Sequence, residues 1–328
     1  MINKKYTLGI VGVRGYVGRE LLGLLANHSN IHVDWLSSRQ LEGTGLVQLL
    51  KSDENFKFDV LSKEHYFHQI KIEKISAEKI AKRKTDIVIL ALPNGLAAPF
   101  VDAIEKNNNC QLIIDLSADY RFDSSWLYSL PELINSDKLN QYQKNKLIKI
   151  SNPGCYATAM QIALAPLIGK TQGRVNCFGM SGFSGAGTKP SPNNDPSNLK
   201  NNILPYALLE HLHEKEVSYQ LGLPISFSPH IVEFFRGITM TIQVEFEQKW
   251  QLEDVRNLFK DFYQECSAIK IIHSIPNIQQ VVYSSDCIVG GFTLSNDGKR
   301  LTFVSCLDNL LKGAASQALQ NIELALNC

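Results

Sequence analysis

Cysteine, histidine and glycine stand in this 328-residue chain at spacings that turn residue types into chemistry. Cys155 lies in the run Ser151-Asn152-Pro153-Gly154-Cys155-Tyr156-Ala157-Thr158. Pro153 fixes φ and Gly154 permits a tight backbone approach, so the run reads as a turn. The alanine-rich apolar stretch 157–165 that follows reads as a buried helix. A thiol at a helix N-terminus sits where N–H groups and the helix dipole favour an anion. Its pKa there falls from about 8.5 into a range of roughly 3.5–7.5, which makes a nucleophile. His211 and His213 are spaced by one residue. On a strand both rings would face one side, an arrangement suited to proton transfer beside a thiol. No cysteine stands at zinc-ligand spacing near them, so the expectation is no metal.

The elements that must position these groups divide into two halves. Residues 8–11 form a short apolar strand, followed by Gly12, Gly15 and Gly18 and then by apolar residues at helical spacing over 16–25. Strand, glycine turn and helix together are a variant of the dinucleotide fingerprint, with Gly12, Arg14, Gly15, Tyr16 and Val17 at the pyrophosphate. The next strand, 31–36, ends in Ser37-Ser38-Arg39 rather than in an acid. Two hydroxyls and a guanidinium suit the 2′-phosphate of NADP better than the ribose of NAD. Buried strands at 86–92 and 112–117 continue the alternation, the first ending in Pro93-Asn94-Gly95, a loop placed to pass the cofactor.

Beyond Cys155 the pattern changes. The stretch 181–190 is small, flexible and rich in backbone N–H groups, able to hold an anion or lie against a nicotinamide through Ser184 and Gly185. Residues 191–202 read as a loop without chemistry, and 236–246 alternate as a half-buried strand of an antiparallel sheet. Residues 308–318 open a C-terminal apolar helix expected to dock back on the first domain. The class is α/β: a Rossmann-type doubly wound parallel sheet over 1–150, joined by the helix 309–328. An α+β substrate and dimerisation domain with a mainly antiparallel sheet fills 151–308.

Composition excludes other classes. Net charge is +1, with no basic block, which argues against nucleic acid. Seven cysteines without a CxxC pair fit free thiols in a reducing cytoplasm. No apolar run approaches the roughly 18 residues of a membrane span, and a start that runs directly into a strand leaves the expectation of no signal peptide.

Seven motifs in order carry a resemblance across the whole chain. They are Gly12…Gly15-Tyr16-Val17-Gly18-Arg19-Glu20-Leu21, Ser37-Ser38-Arg39, residues 115–121, Leu130-Pro131-Glu132-Leu133, residues 152–158, residues 181–187 and residues 308–315. This set resembles the N-acetyl-gamma-glutamyl-phosphate reductase family, relatives of aspartate-semialdehyde dehydrogenase. The resemblance implies Cys155 as nucleophile, acid-base work from His211 and His213, and Asn309 at the nicotinamide end. It directs substrate binding to Ser117, Arg121, Asn152, Lys189 and Arg236, and oligomerisation to a homodimer or homotetramer. The implied reaction is NADPH-dependent reduction of N-acetyl-gamma-glutamyl phosphate through a thioester. A related aminoadipyl or aspartyl phosphate, or a non-catalytic NADP-binding paralogue, are the alternatives.

Departures bear on the acyl group. The family has histidine where Asn94 stands and a basic residue where Thr188 stands. Its His-Arg-His becomes His211-Leu212-His213, and Lys189 is the candidate to replace the lost positive charge.

Overall fold

A computed structural model describes residues 5–58, 61–107 and 109–327. It divides into two units, Met1–Pro153 with Ala314–Cys328, and Gly154–Gly313.

Unit 1 runs β1 (Tyr6–Val11), α1 (Tyr16–Leu25), β2 (Ile31–Ser37), α2 (Leu46–Leu50), β3 (Ile72–Glu73), α3 (Ala77–Ala81), β4 (Ile87–Leu90), α4 (Ala98–Asn107), β5 (Leu112–Asp115), β6 (Leu127–Tyr128), α5 (Ser136–Gln143) and β7 (Ile148–Ser151). The strands form one sheet in the order β3-β2-β1-β4-β5-β7-β6, parallel at every pairing. Continuous apolar strands such as Ile87-Val88-Ile89-Leu90 are buried on both faces, as a covered parallel sheet requires. Period-two alternation splits them: Ile87 and Ile89 join one core with Leu112 and Ile114, while Val88, Leu90 and Ile113 join the other. The order reverses between β1 and β4, placing a topological switch point at the end of β1.

Unit 2 runs α6 (Cys155–Leu164), β8 (Thr171–Gly182), α7 (Pro196–Leu199), β9 (Ile203–Pro205), α8 (Leu212–Leu221), β10 (Ile225–Val232), β11 (Ile238–Phe246), α9 (Leu252–Phe262), β12 (Ile269–Ile271), β13 (Cys287–Leu294) and β14 (Arg300–Leu307). Its sheet order is β12-β13-β14-β11-β8-β10-β9. The β12–β13 and β8–β10 pairs are parallel and the rest antiparallel. On β11, Ile238, Met240, Ile242, Val244 and Phe246 point inward, toward the face on which α6 packs. All of α6 except Cys155 is buried. The opposite face, with Asn176, Phe178, Ser228, His230, Thr241 and Glu245, is exposed or half-buried.

The chain then makes a π-helical turn over Leu311–Ala315 and continues as α10 (Ser316–Leu326). Ile322 and Ala325 of α10 share the unit 1 core with Leu21, Leu22 and Leu25 of α1. Asn321 fastens it there, donating to Ser129 O and Asn152 Oδ1 at 3.0 Å each. Among the described residues no helix is long and apolar enough to cross a membrane.

Candidate active site

Cys155 is the first residue of α6, and Gly154, extended at φ −73° and ψ 154°, is its N-cap. Glycine brings no side chain to cap the helix, so no hydroxyl or carboxylate of the N-cap residue competes for the first-turn donors. Thr158 closes the first turn, its N–H and hydroxyl both donating to Gly154 O at 2.8 and 3.0 Å. Gly313, in the π-helical turn, lies against Cys155: a Cβ there would stand 2.7 Å from Cys155 Cβ. Only glycine tolerates that approach.

The histidine pair occupies the start of a helix, not a strand. His211 is the N-cap of α8 and its Nδ1 accepts the His213 N–H at 3.1 Å. The two rings still lie together, 4.9 Å apart and edge to face. Tyr156, Tyr206 and Phe227 wall His211 at ring distances of 6.3, 5.5 and 5.2 Å. This burial pushes the His211 pKa down to about 4. The proton of the neutral ring therefore belongs on Nε2, because Nδ1 is accepting. Tyr156 also stacks edgewise on His213 at 6.1 Å, and its hydroxyl donates to His230 O at 2.7 Å. His230 itself faces the other side of the sheet, against Phe178 at 4.4 Å.

Tyr206 was invisible to pattern reading. Its pKa is raised by burial and then by the neighbouring Cys155, which places a phenol near the thiol. Glu216 also carried no signal beyond its charge, yet it is fully buried on α8 and accepts the Gly154 N–H at 2.9 Å.

Other expected site residues fall into frameworks. Arg236 commits its fork to Asp308, Nε to Oδ2 at 2.7 Å and Nη2 to Oδ1 at 3.1 Å, with the guanidinium 4.3 Å from the Tyr283 ring. Asp308 also accepts the N–H groups of Tyr283, Leu310 and Leu311. Arg236, expected at the substrate, thus braces the turn before Gly313. Asn309 accepts from Gly237 N at 2.7 Å and donates to Ser184 Oγ at 2.9 Å, bringing two expected cofactor residues together beside Gly185. Lys189 is exposed. In unit 1, Ser117 donates to Asp115 Oδ2 at 2.7 Å, and Arg121 Nε donates to Asn152 O at 3.1 Å. All three expected substrate residues there are buried and hydrogen-bonded within the unit. Asn94, where the family has histidine, accepts the Ala118 N–H at 3.0 Å and so steadies that same turn.

The dinucleotide residues meet a fit test. Gly12 has φ +87°, and a Cβ on it would strike Ala91 O at 2.2 Å. Gly15 is the N-cap of α1 with no side-chain cap, leaving the helix end to an anion. A Cβ on Gly18 would press on Val13 Cα at 3.1 Å, so that glycine lets α1 close on the turn after β1. Arg14 reaches Gln40 beside the end of β2, and Pro93 is exposed after β4. Ser37 and Ser38 are buried, accepting from Ile75 N and Gln40 N, while Arg39 is exposed. The turn and its flanking cation fit a dinucleotide.

The semialdehyde dehydrogenase NAD binding domain matches residues 7–142, and the semialdehyde dehydrogenase dimerisation domain matches residues 155–309. Aspartate semialdehyde dehydrogenase II of Vibrio cholerae shares the fold at TM-score 0.76 and 17% identity, covering 99% of each chain. The Candida albicans aspartate semialdehyde dehydrogenase solved with NADP aligns at TM-score 0.74 and 16% identity, over 98% of each chain. N-acetyl-gamma-glutamyl-phosphate reductase of Xanthomonas axonopodis pv. citri is 45% identical over 98% of this chain and 95% of its own. That of Stenotrophomonas maltophilia is 44% identical over 99% and 97%. With that identity over nearly the whole of both chains, a thiol at the start of α6, two histidines at the start of α8 and a glycine turn at the switch point, this chain belongs to the N-acetyl-gamma-glutamyl-phosphate reductase family.

Proposed function

We propose that the protein reduces N-acetyl-gamma-glutamyl phosphate to N-acetylglutamate semialdehyde and phosphate, with NADPH as reductant. The observation that carries the reading is Cys155 as the first residue of a buried, glycine-capped helix. Unit 2 supplies the thiol and the histidines, and unit 1 holds the dinucleotide through Gly12, Gly15 and α1.

Cys155 Sγ attacks the acyl carbon, the carbon–oxygen bond to phosphate breaks, and phosphate leaves with that electron pair, giving a thioester. N–H groups at the start of α6 are placed to stabilise the tetrahedral oxygen. NADPH, when bound, supplies the hydride that brings the thioester carbon to the aldehyde level. His213 holds the proton exchanged with the tetrahedral oxygen as the carbon–sulfur bond breaks and the thiolate returns. His211 is the poorer proton carrier, because its Nδ1 is engaged as the α8 cap and its pKa of about 4 keeps it neutral. Its role is to orient.

NADP is preferred to NAD because β2 ends in Ser37, Ser38 and Arg39, with no acid to hold a free ribose hydroxyl. A second copy of the chain would cover the outer face of the unit 2 sheet around Phe178 and His230, making a homodimer. The match of this unit to a dimerisation domain supports that. The six described cysteines, none of them in a disulfide, suit the reducing cytoplasm.

Phosphate-dependent NADP+ reduction tests the activity in its convenient direction. N-acetylglutamate semialdehyde should exceed aspartate and N-acetylaminoadipate semialdehydes in kcat/KM by at least tenfold. Equal use of another aldehyde would reassign the substrate, and no turnover with any would leave a non-catalytic NADP binder.

A further inference from the structure

We propose that Glu216 is a positioning residue for the nucleophile, acting through the peptide N–H of Gly154. The inference rests on the reading of Cys155 as nucleophile.

Helices often secure their N-cap N–H with a glutamate or glutamine at the third helical position, which reaches back to it. In α6 that position is Ala157, which has no acceptor, and the first turn carries no acidic residue. The acceptor comes instead from another helix. Glu216 Oε1 lies 2.9 Å from Gly154 N, and its side chain is fully buried. A carboxylate is costly to bury, and it is tolerated where hydrogen-bonded groups return the lost hydration. Gly154 needs such an outside partner for a chemical reason. A glutamate at 157, reaching back across the first turn, would sit over the donors that the thiolate and the tetrahedral oxygen use.

The same helix carries the histidines. α8 begins at His211, presents His213 in its first turn, and has Glu216 three residues further, one turn along. Its other carboxylate, Glu214, accepts the Phe227 N–H of β10 at 2.8 Å. One carboxylate therefore fixes α8 to the sheet and the other to the N-cap of α6. His213, immediately before Glu214 on the same helix, is held in register with Cys155 by these two hydrogen bonds as well as by packing. The requirement at 216 is for an acceptor oxygen at the right place, which glutamine also supplies.

Glu216→Gln and Glu216→Ala separate these roles, each read by kcat, KM for the aldehyde, NADP+ affinity and the rate of Cys155 alkylation by iodoacetamide. The expectation for Glu216→Gln is kcat within about threefold of wild type. For Glu216→Ala, kcat should fall at least thirtyfold with KM and NADP+ affinity within threefold, and Cys155 alkylation should change with it. A general loss of structure would move NADP+ affinity too. Should Glu216→Ala fail to fold, Glu216→Gln decides alone: a hundredfold loss of kcat in a folded protein overturns the proposal. Wild-type kcat in Glu216→Ala overturns it equally. Failure of the underlying reading looks different: alkylation of Cys155 in the wild-type enzyme would then leave turnover intact.

Discussion

At the scale of single residues, the proposed reaction needs a nucleophile, a proton carrier and an orienting ring, in Cys155, His213 and His211. Cys155→Ala should lower kcat by more than a thousandfold, about 4 kcal/mol, while NADP+ binding survives. A smaller loss in steady-state assays would rule out the covalent route. His213→Asn should lower kcat and remove one limb of the pH–rate profile, whereas His211→Asn should chiefly raise KM. Near-normal profiles for both would move the proton transfer elsewhere. Arg39→Asp should shift cofactor preference toward NADH at a cost to NADPH of about 1.5–3 kcal/mol. Comparing kcat/KM for the two cofactors checks it. Cys155 was legible in the sequence because a helix start has local signs: proline, glycine, then alanines. Glu216 and Tyr206 were not, because their meaning lies in partners 62 residues away at Gly154 and at the distant Cys155.

At the scale of elements, the helix starts carry the chemistry, and they differ in how plainly they announce themselves. The glycine turn into α1 and the turn into α6 follow familiar rules. The start of α8 does not, since histidine is no common N-cap and Glu210 precedes it at φ 58°. Two histidines one apart therefore read as a strand, and the period misled. The rings converge anyway because one caps the turn that carries the other. The π-helical turn at 311–315 is unforgiving at Gly313. Gly313→Ala would place a methyl 2.7 Å from Cys155 Cβ. Overpacking of this kind costs about 1–3 kcal/mol, and here it falls on the nucleophile. A drop in kcat with a modest fall in Tm is expected, and unchanged kcat would show that the turn yields freely.

At the scale of the whole molecule, both halves were legible in outline, because apolar strands bounded by glycine turns and an alternating β11 fix the sheet types. The hydrogen bonds that hold Arg236, Asn152 and Arg121 were not, since their partners lie far along the chain. Asp115 is one such internal group. It is fully buried and its pKa is raised to about 6, chiefly by burial. The folded chain therefore holds a proton that the unfolded chain, near 3.9, releases first. Its contribution to stability is full below about pH 4 and is lost as pH rises through 6, by about 3 kcal/mol. Asp115→Asn should thus gain on wild type between pH 4 and 7 in urea unfolding, and parallel curves would refute the shift. A last consequence concerns synthesis on the ribosome. Unit 2 is one continuous stretch, while unit 1 takes in α10 after it. A nascent chain therefore has every residue of unit 2 before it has the helix that Asn152 and Ser129 bind. Order of emergence favours unit 2 closing first, with unit 1 sealed only once α10 has followed it out of the exit tunnel.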